Sequence, residues 1–192
     1  MFYDIVIGFF KTLYYIFFRP KVVGVENLPQ GGFILAANHT SNLDPPFVVV
    51  FMPGKQMILA KKELFKNKLF GKFLSHLGAV PLNRGEGDVH AIKTALTHLK
   101  NGGNLLLFPQ GGRRKEINLD DAKNGLALLA TRAKVPIVPI GISGDYKLFR
   151  RMYLNIGAPM CFDQFYGKKL TSEELNKISR SVVKKIITLA GT

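Results

Sequence analysis

Ala36-Ala37-Asn38-His39-Thr40-Ser41-Asn42-Leu43-Asp44 (residues 36–44) is the stretch from which the rest of the chain is read. The apolar run Phe33-Ile34-Leu35-Ala36-Ala37 reads as a short buried strand that stops at Asn38-His39. Asp44 follows five residues after His39, directly before Pro45-Pro46. The prolines argue against a helix at those positions and for a turn. Such a turn would bring the Asp44 carboxylate to one ring nitrogen of His39 and leave the other nitrogen for a substrate. A carboxylate in that position fixes the imidazole tautomer and stabilises the imidazolium, which is the chemistry of a general base. The same residues also suit a strand end at His39 and a helix cap at Asp44, so the stretch alone leaves both readings open.

Composition narrows the setting. At 192 residues the chain has the length of one domain with a full core. A lone cysteine, Cys161, excludes an internal disulfide and fits a reducing compartment. His39, His76, His90 and His98 are scattered and lack the co-ligand spacing of a metal site, so no metal is expected. The formal net charge of +14 implies an anionic partner. Hydrophobic residues make up 47% of the chain, which tilts that partner toward lipid and away from nucleic acid.

Residues 1–18 hold eight of the chain's 21 aromatics. At 100° per residue, Asp4, Gly8, Lys11 and Tyr15 form a narrow stripe on an otherwise apolar helix. It is short for a bilayer span, which needs about 20 apolar residues. It also lacks the basic start and cleavage site of a signal peptide. Residues 1–19 therefore read as an interfacial membrane anchor, with a buried core helix as the competing reading. Residues 20–192 read as the main domain.

Further along, residues 21–26 and 32–37 are expected strands, and 47–52 is an apolar run that periodicity leaves as helix or strand. Gln56–Ala60 reads as a strand leading into Lys61 and Lys62. Residues 68–77 form an amphipathic helix whose Leu69, Phe70, Phe73, Leu74 and Leu77 face is expected in the core, with Gly71 on the outer face. Its lysines, with Lys61, Lys62 and Lys66, would attract an anionic membrane. The strand Ala79–Leu82 ends at Asn83-Arg84-Gly85, where an arginine can meet phosphate. A helix capped by Asp88 follows, with Val89, Ile92, Ala95, Leu96 and Leu99 inward and His90 and His98 solvated. The strand Asn104–Phe108 breaks at Pro109-Gln110-Gly111-Gly112-Arg113-Arg114. Its glycines suit an anion-binding concavity. A helix capped by Asp120 or Asp121 is expected up to about Ala133. The strand 135–141 carries two prolines and is expected at a sheet edge or twisting off the sheet. A strand at 152–157 and a last helix with a Thr171/Glu174 capping box complete the order. Strand–helix alternation without repeats argues for one α/β domain with helices on a largely parallel sheet.

Four blocks in this order, NHTSNLD (38–44), GAVPLNR (78–84), FPQGGR (108–113) and VPIVPIG (135–141), resemble the glycerolipid acyltransferase family, above all the bacterial 1-acylglycerol-3-phosphate acyltransferases. The resemblance covers roughly residues 20 to 145. It implies transfer of a fatty acyl group from a coenzyme A or acyl carrier protein thioester to the sn-2 hydroxyl of lysophosphatidic acid, giving phosphatidic acid. No cofactor is implied beyond that thioester co-substrate. His39 would be the general base, Asp44 its support, and Arg84, Arg113 and, less directly, Lys61 the phosphate contacts. Residues Gln110, Gly111 and Gly112 would form the substrate loop, with backbone N–H groups near Gly111 facing negative charge. Gln110 stands where the family has glutamate and Gly112 where it has threonine. The loss of a charge beside Arg113 would alter how that arginine is held. The implied location is the cytoplasmic face of the cell membrane, peripheral or monotopic.

Other readings remain open at this point. Ser41 as a covalent nucleophile lacks a G-x-S-x-G elbow and fits a turn better. The acceptor could be glycerol 3-phosphate or a lysophospholipid. A non-catalytic basic membrane-binding module is the alternative from another class. No nucleic-acid motif is found.

Overall fold

The computed structural model describes residues 1–83 and 88–191. In chain order the elements are α1 (Phe2–Phe18), β1 (Lys21–Val23), β2 (Ile34–Ala37), α2 (Asp44–Phe51), β3 (Gln56–Lys61), α3 (Lys68–His76), β4 (Ala79–Leu82), α4 (Val89–Lys100), β5 (Asn104–Leu107), α5 (Gly125–Ala133), β6 (Ile137–Ser143), β7 (Tyr153–Ile156) and α6 (Ser172–Ala190). One seven-stranded sheet runs β1-β7-β6-β2-β5-β3-β4. Every neighbouring pair is parallel except β6–β7. The sequence expectation of one α/β domain with a largely parallel sheet matches this architecture.

β2 lies between β5 and β6, with Leu35 opposite Leu106 on one side and Val138 on the other. All four of its residues are buried, because helices cover both faces of the sheet. Alternation then sorts the side chains. Leu35 and Ala37 join Phe47, Val138 and Ile140 beneath α1 and α2. Ile34 and Ala36 join Ala95, Leu126 and Val182 beneath α4, α5 and α6. The α6 start is held by the expected box: Glu174 N–H donates to Thr171 Oγ1, and Thr171 N–H donates to Glu174 Oε2.

Several expectations need correction. Pro45 and Pro46 do not prevent a helix; they occupy the first turn of α2, where a missing N–H costs nothing. The run 47–52 is accordingly helical through Phe51. β1 ends at Val23, since Gly24 turns with φ +88° into a 3₁₀ turn at Val25–Asn27. The proline-bearing β6 is interior. Pro139 O still accepts Gly157 N–H, and beyond it Ile137 exchanges two bonds with Met160, so pairing continues on either side of the proline. Asp120 and Asp121 sit in a 3₁₀ turn, and α5 starts only at Gly125. Val89 is exposed, and Ala91 takes the inward place on α4. His98 is half-buried, its Nε2 bonded to Asn104 O.

α3 departs most. Leu69 and Phe70 are exposed, and the buried residue of this helix is Gly71, which packs against Phe65. Its apolar face does not enter either core. On α1, Tyr14 is buried and Tyr3, Ile7, Phe10 and Phe18 pack on the domain, whereas Phe2, Ile5, Phe9 and Ile16 are exposed. The helix thus has one docked face and one outward apolar face. Among the described residues no helix is long and apolar enough to cross a membrane.

Candidate active site

In a parallel sheet the carboxyl ends of neighbouring strands open at one edge, and ligands collect there. Here β6, β2, β5 and β3 deliver Tyr146, His39, the 108–114 loop and Lys61 to that edge. The exit from β2 is made by Asn38. Its buried side chain donates from Nδ2 to Ile142 O at 2.8 Å and accepts Ile142 N–H at 2.7 Å through Oδ1. The amide thereby extends the β2–β6 ladder by one rung while the main chain turns away at His39.

The 108–114 loop then fixes the backbone of His39 on both sides. His39 N–H donates to Gln110 Oε1 at 2.9 Å, and His39 O accepts Arg114 N–H at 2.9 Å. The Phe108 ring stacks on the imidazole, with centroids 4.3 Å apart and planes inclined by 26°. Asp44 supplies the remaining constraint. Its Oδ2 lies 3.1 Å from His39 Nδ1 and accepts Thr40 N–H at 2.6 Å and Ser41 N–H at 2.7 Å. Its Oδ1 accepts the Tyr146 hydroxyl at 2.8 Å. The Asp44 side chain is fully buried, and that of His39 is 12% exposed. A buried carboxylate is tolerable only when its lone pairs are so occupied. With the carboxylate at Nδ1, the neutral ring carries its proton there, an assignment made from the partner, and Nε2 keeps its lone pair.

Two tyrosines close over this pair. Burial, reinforced by the Asp44 charge, raises the Tyr146 hydroxyl well above the ordinary tyrosine value. The same two causes raise Tyr14, whose hydroxyl donates to Leu43 O at 2.9 Å. Both remain neutral donors. Ser41 Oγ accepts Leu43 N–H at 3.2 Å, the turn-shaping use.

His39 also borders a cavity of about 670 Å³, within the range of small-molecule sites. Its walls include Val6, Ile7 and Phe10 of α1, Val49 and Val50 of α2, Ile58 and Leu59 of β3, Phe70, Phe73 and Leu74 of α3, and Leu77 just after it. The α3 face expected in the core therefore walls a cavity. Lys61, Asn42 and Arg113 are the other polar residues of its lining. Lys61 and Arg113 are both exposed, and Lys61 Nζ lies 3.5 Å from Glu63 Oε1. Histidine, aspartate, lysine and one arginine are thus brought to one site. The expected contact Arg84 lies outside the described residues.

The loop residues differ from expectation in two ways. Gln110 is buried and accepts the His39 N–H, so its replacement of glutamate bears on the backbone of His39; among the described residues its Nε2 has no partner. Gly111 adopts φ +67°, which explains the glycine, but its N–H donates to Phe108 O and is not free for an anion. Sequence reasoning missed Asn38, Tyr146 and the cavity. Asn38 stood in the quoted block as a polar residue directly following a buried strand, a signal that was available. Tyr146 carries no local pattern. Among the described residues no three His, Cys, Asp or Glu side chains gather as a metal site.

Comparison with known proteins bears on this arrangement. The family model described as Acyltransferase matches residues 19–143. The 1-acyl-sn-glycerol-3-phosphate acyltransferase of Bacillus subtilis is 37% identical over 148 residues, 73% of this chain and 73% of that protein. The protein of the same name from Streptococcus pneumoniae is 33% identical over 157 residues, 78% of this chain but 57% of its own length. The crystal structure of the 1-acyl-sn-glycerophosphate acyltransferase of Thermotoga maritima superposes with a TM-score of 0.75 at 28% identity, covering 95% of this chain and 77% of that one. The matched segment runs from the end of α1 to the end of β6 and contains His39, Asp44 and the 108–114 loop, with Tyr146 just beyond it. On that ground the chain belongs to the acyltransferase family.

Proposed function

We propose that this protein moves a fatty acyl group from a coenzyme A or acyl carrier protein thioester to the sn-2 hydroxyl of 1-acylglycerol 3-phosphate, releasing phosphatidic acid and the free thiol. The observation that carries the reading is the His39–Asp44 pair at the lip of an apolar cavity that also holds Arg113 and Lys61. A fatty chain in the cavity leaves its reactive end at the imidazole. His39 Nε2 takes the hydroxyl proton as the oxygen attacks the thioester carbonyl. Asp44 stabilises the imidazolium so formed. The tetrahedral intermediate collapses, the C–S bond breaks, and the departing sulfur takes the proton back from His39. Arg113, Lys61 and Arg84 bind the acceptor phosphate; guanidinium matches phosphate bidentately, and fixing the hydroxyl beside the base supplies much of the rate. Among the described residues the N–H groups of Gly112 and Arg113 meet no acceptor, and they are the candidate donors to the oxyanion.

Lipid substrates place the reaction at a membrane surface. The exposed Phe2, Ile5, Phe9 and Ile16 on α1 support a peripheral or monotopic seat on a membrane, and thioester donors drawn from the cytosol call for its cytoplasmic leaflet. The deciding assay supplies purified protein with lysophosphatidic acid, glycerol 3-phosphate or a lysophospholipid, each with acyl-CoA and acyl carrier protein donors. Phosphatidic acid is the expected product, and His39→Ala abolishes it while the protein stays folded. Turnover only on another acceptor would overturn the substrate assignment.

A further inference from the structure

Beyond Tyr146, the connection from β6 to β7 contains a turn that the proposed reaction does not use. Lys147 to Arg150 form a turn closed by Arg150 N–H donating to Lys147 O at 3.1 Å. Its two central residues are Leu148 and Phe149, 62% and 59% exposed. Phe149 has φ +64°, at a turn position where chains normally place glycine or asparagine. A bulky residue adopts that conformation only at a cost, and exposure means that it recovers nothing by packing inside. Neither backbone preference nor the core accounts for a phenylalanine there.

The turn is built onto the end of α1. Phe149 N–H donates to Phe17 O at 2.6 Å and Met152 N–H to Phe18 O at 3.0 Å, so the segment satisfies carbonyls that the helix end leaves open. Lys21 N–H donates to Met152 O at 2.8 Å. These bonds gather the exposed cations Arg19, Lys21, Lys147, Arg150 and Arg151 around the two apolar tips. Lys147 pairs with Asp145 at 3.1 Å, and Arg150 and Arg151 make no ion pair among the described residues.

We infer that the Lys147–Arg151 turn is a second lipid-contact element. Leu148 and Phe149 enter the interfacial layer and the surrounding cations meet anionic headgroups. Two large apolar side chains at the tip of a cationic turn suit a lipid surface, and the turn continues the helix whose outward face is itself apolar. The inference rests on the reading that this protein works on membrane lipids.

The test is co-sedimentation of the full chain with vesicles of phosphatidylcholine alone and with added phosphatidylglycerol, without substrates. Leu148→Ser combined with Phe149→Asn keeps the turn, because asparagine tolerates positive φ, and is expected to lower partition at least roughly tenfold on both vesicles. Arg150→Gln with Arg151→Gln is expected to lower it roughly 25-fold on the anionic vesicles only, about fivefold per cation. Thermal melts check that both variants fold. Partition unchanged in both, or a wild-type chain that fails to bind anionic vesicles, overturns the inference. So does weakened binding to an acidic acyl carrier protein with vesicle partition intact, which would make the turn a protein dock. Binding that depends on the turn in a protein without acyl transfer would instead defeat the proposed function alone.

Discussion

Replacing Asp44 by asparagine removes one charge and almost no volume, and the surroundings show how the amide would sit. Oδ2 faces three donors, from Thr40, Ser41 and His39, whereas Oδ1 faces only the Tyr146 hydroxyl. The amide nitrogen therefore takes the Oδ1 place, and the tyrosine hydroxyl rotates to accept. The ring keeps its partner and orientation, so the variant separates charge from geometry. The lost Coulomb term for a proton arriving on the imidazole, at a charge separation of about 4 Å and an effective dielectric of about 20, is about 4 kcal/mol. That corresponds to a fall in kcat of about 10³-fold. Acceptor KM should stay within a few-fold, because Asp44 touches no substrate. The assay is steady-state transfer of a radiolabelled acyl group to lysophosphatidic acid, with circular dichroism and a thermal melt to verify folding. A folded variant that retains more than about a tenth of wild-type kcat would refute the argument that Asp44 acts by stabilising the imidazolium.

Three further outcomes follow from the same geometry. Tyr146→Phe deletes a hydrogen bond to a buried carboxylate and should cost about 1.5–3 kcal/mol of stability. Because the folded protein holds this hydroxyl neutral above the ordinary value of 10.0, its contribution is complete below pH 10. As pH climbs past 10 the unfolded tyrosine ionises and the contribution drains by about 1.4 kcal/mol per pH unit. Urea melts of the variant should thus show a shallower alkaline loss than wild type, and equal slopes would contradict the assignment. Gln110→Met leaves His39 N–H without its acceptor and should lower stability by about 1–3 kcal/mol and reduce kcat, with acceptor KM unchanged; a raised acceptor KM would place Gln110 at the phosphate instead. Val49→Phe narrows the cavity and should shift the kcat/KM ratio from palmitoyl toward octanoyl donors. An unchanged ratio would mean that the donor chain lies elsewhere.

The parts legible in the sequence were those set by neighbours along the chain. The apolar run before Asn38, the five-residue spacing of His39 and Asp44, the caps at Asp88 and Thr171 and the strand–helix order all depend on local periodicity and turn chemistry. Each appears in the fold close to where the pattern puts it. The misreadings share a cause. Pro45, Pro46 and Pro139 of β6 show that what proline forbids in an element's interior does not settle its cost, which position within the element and the pairing around it decide.

By itself the sequence determined an α/β chain with a histidine–aspartate pair after its first buried strand and basic, glycine-bearing corners after later ones. Only the tertiary structure decided that Gln110 grips the backbone of His39, that Tyr146 from 102 residues away completes the shell of Asp44, and that the apolar face of α3 walls a cavity. The physical reason is that hydrogen-bond satisfaction of a buried carboxylate and the space left between packed elements are properties of groups distant in sequence. No window along the chain contains both partners.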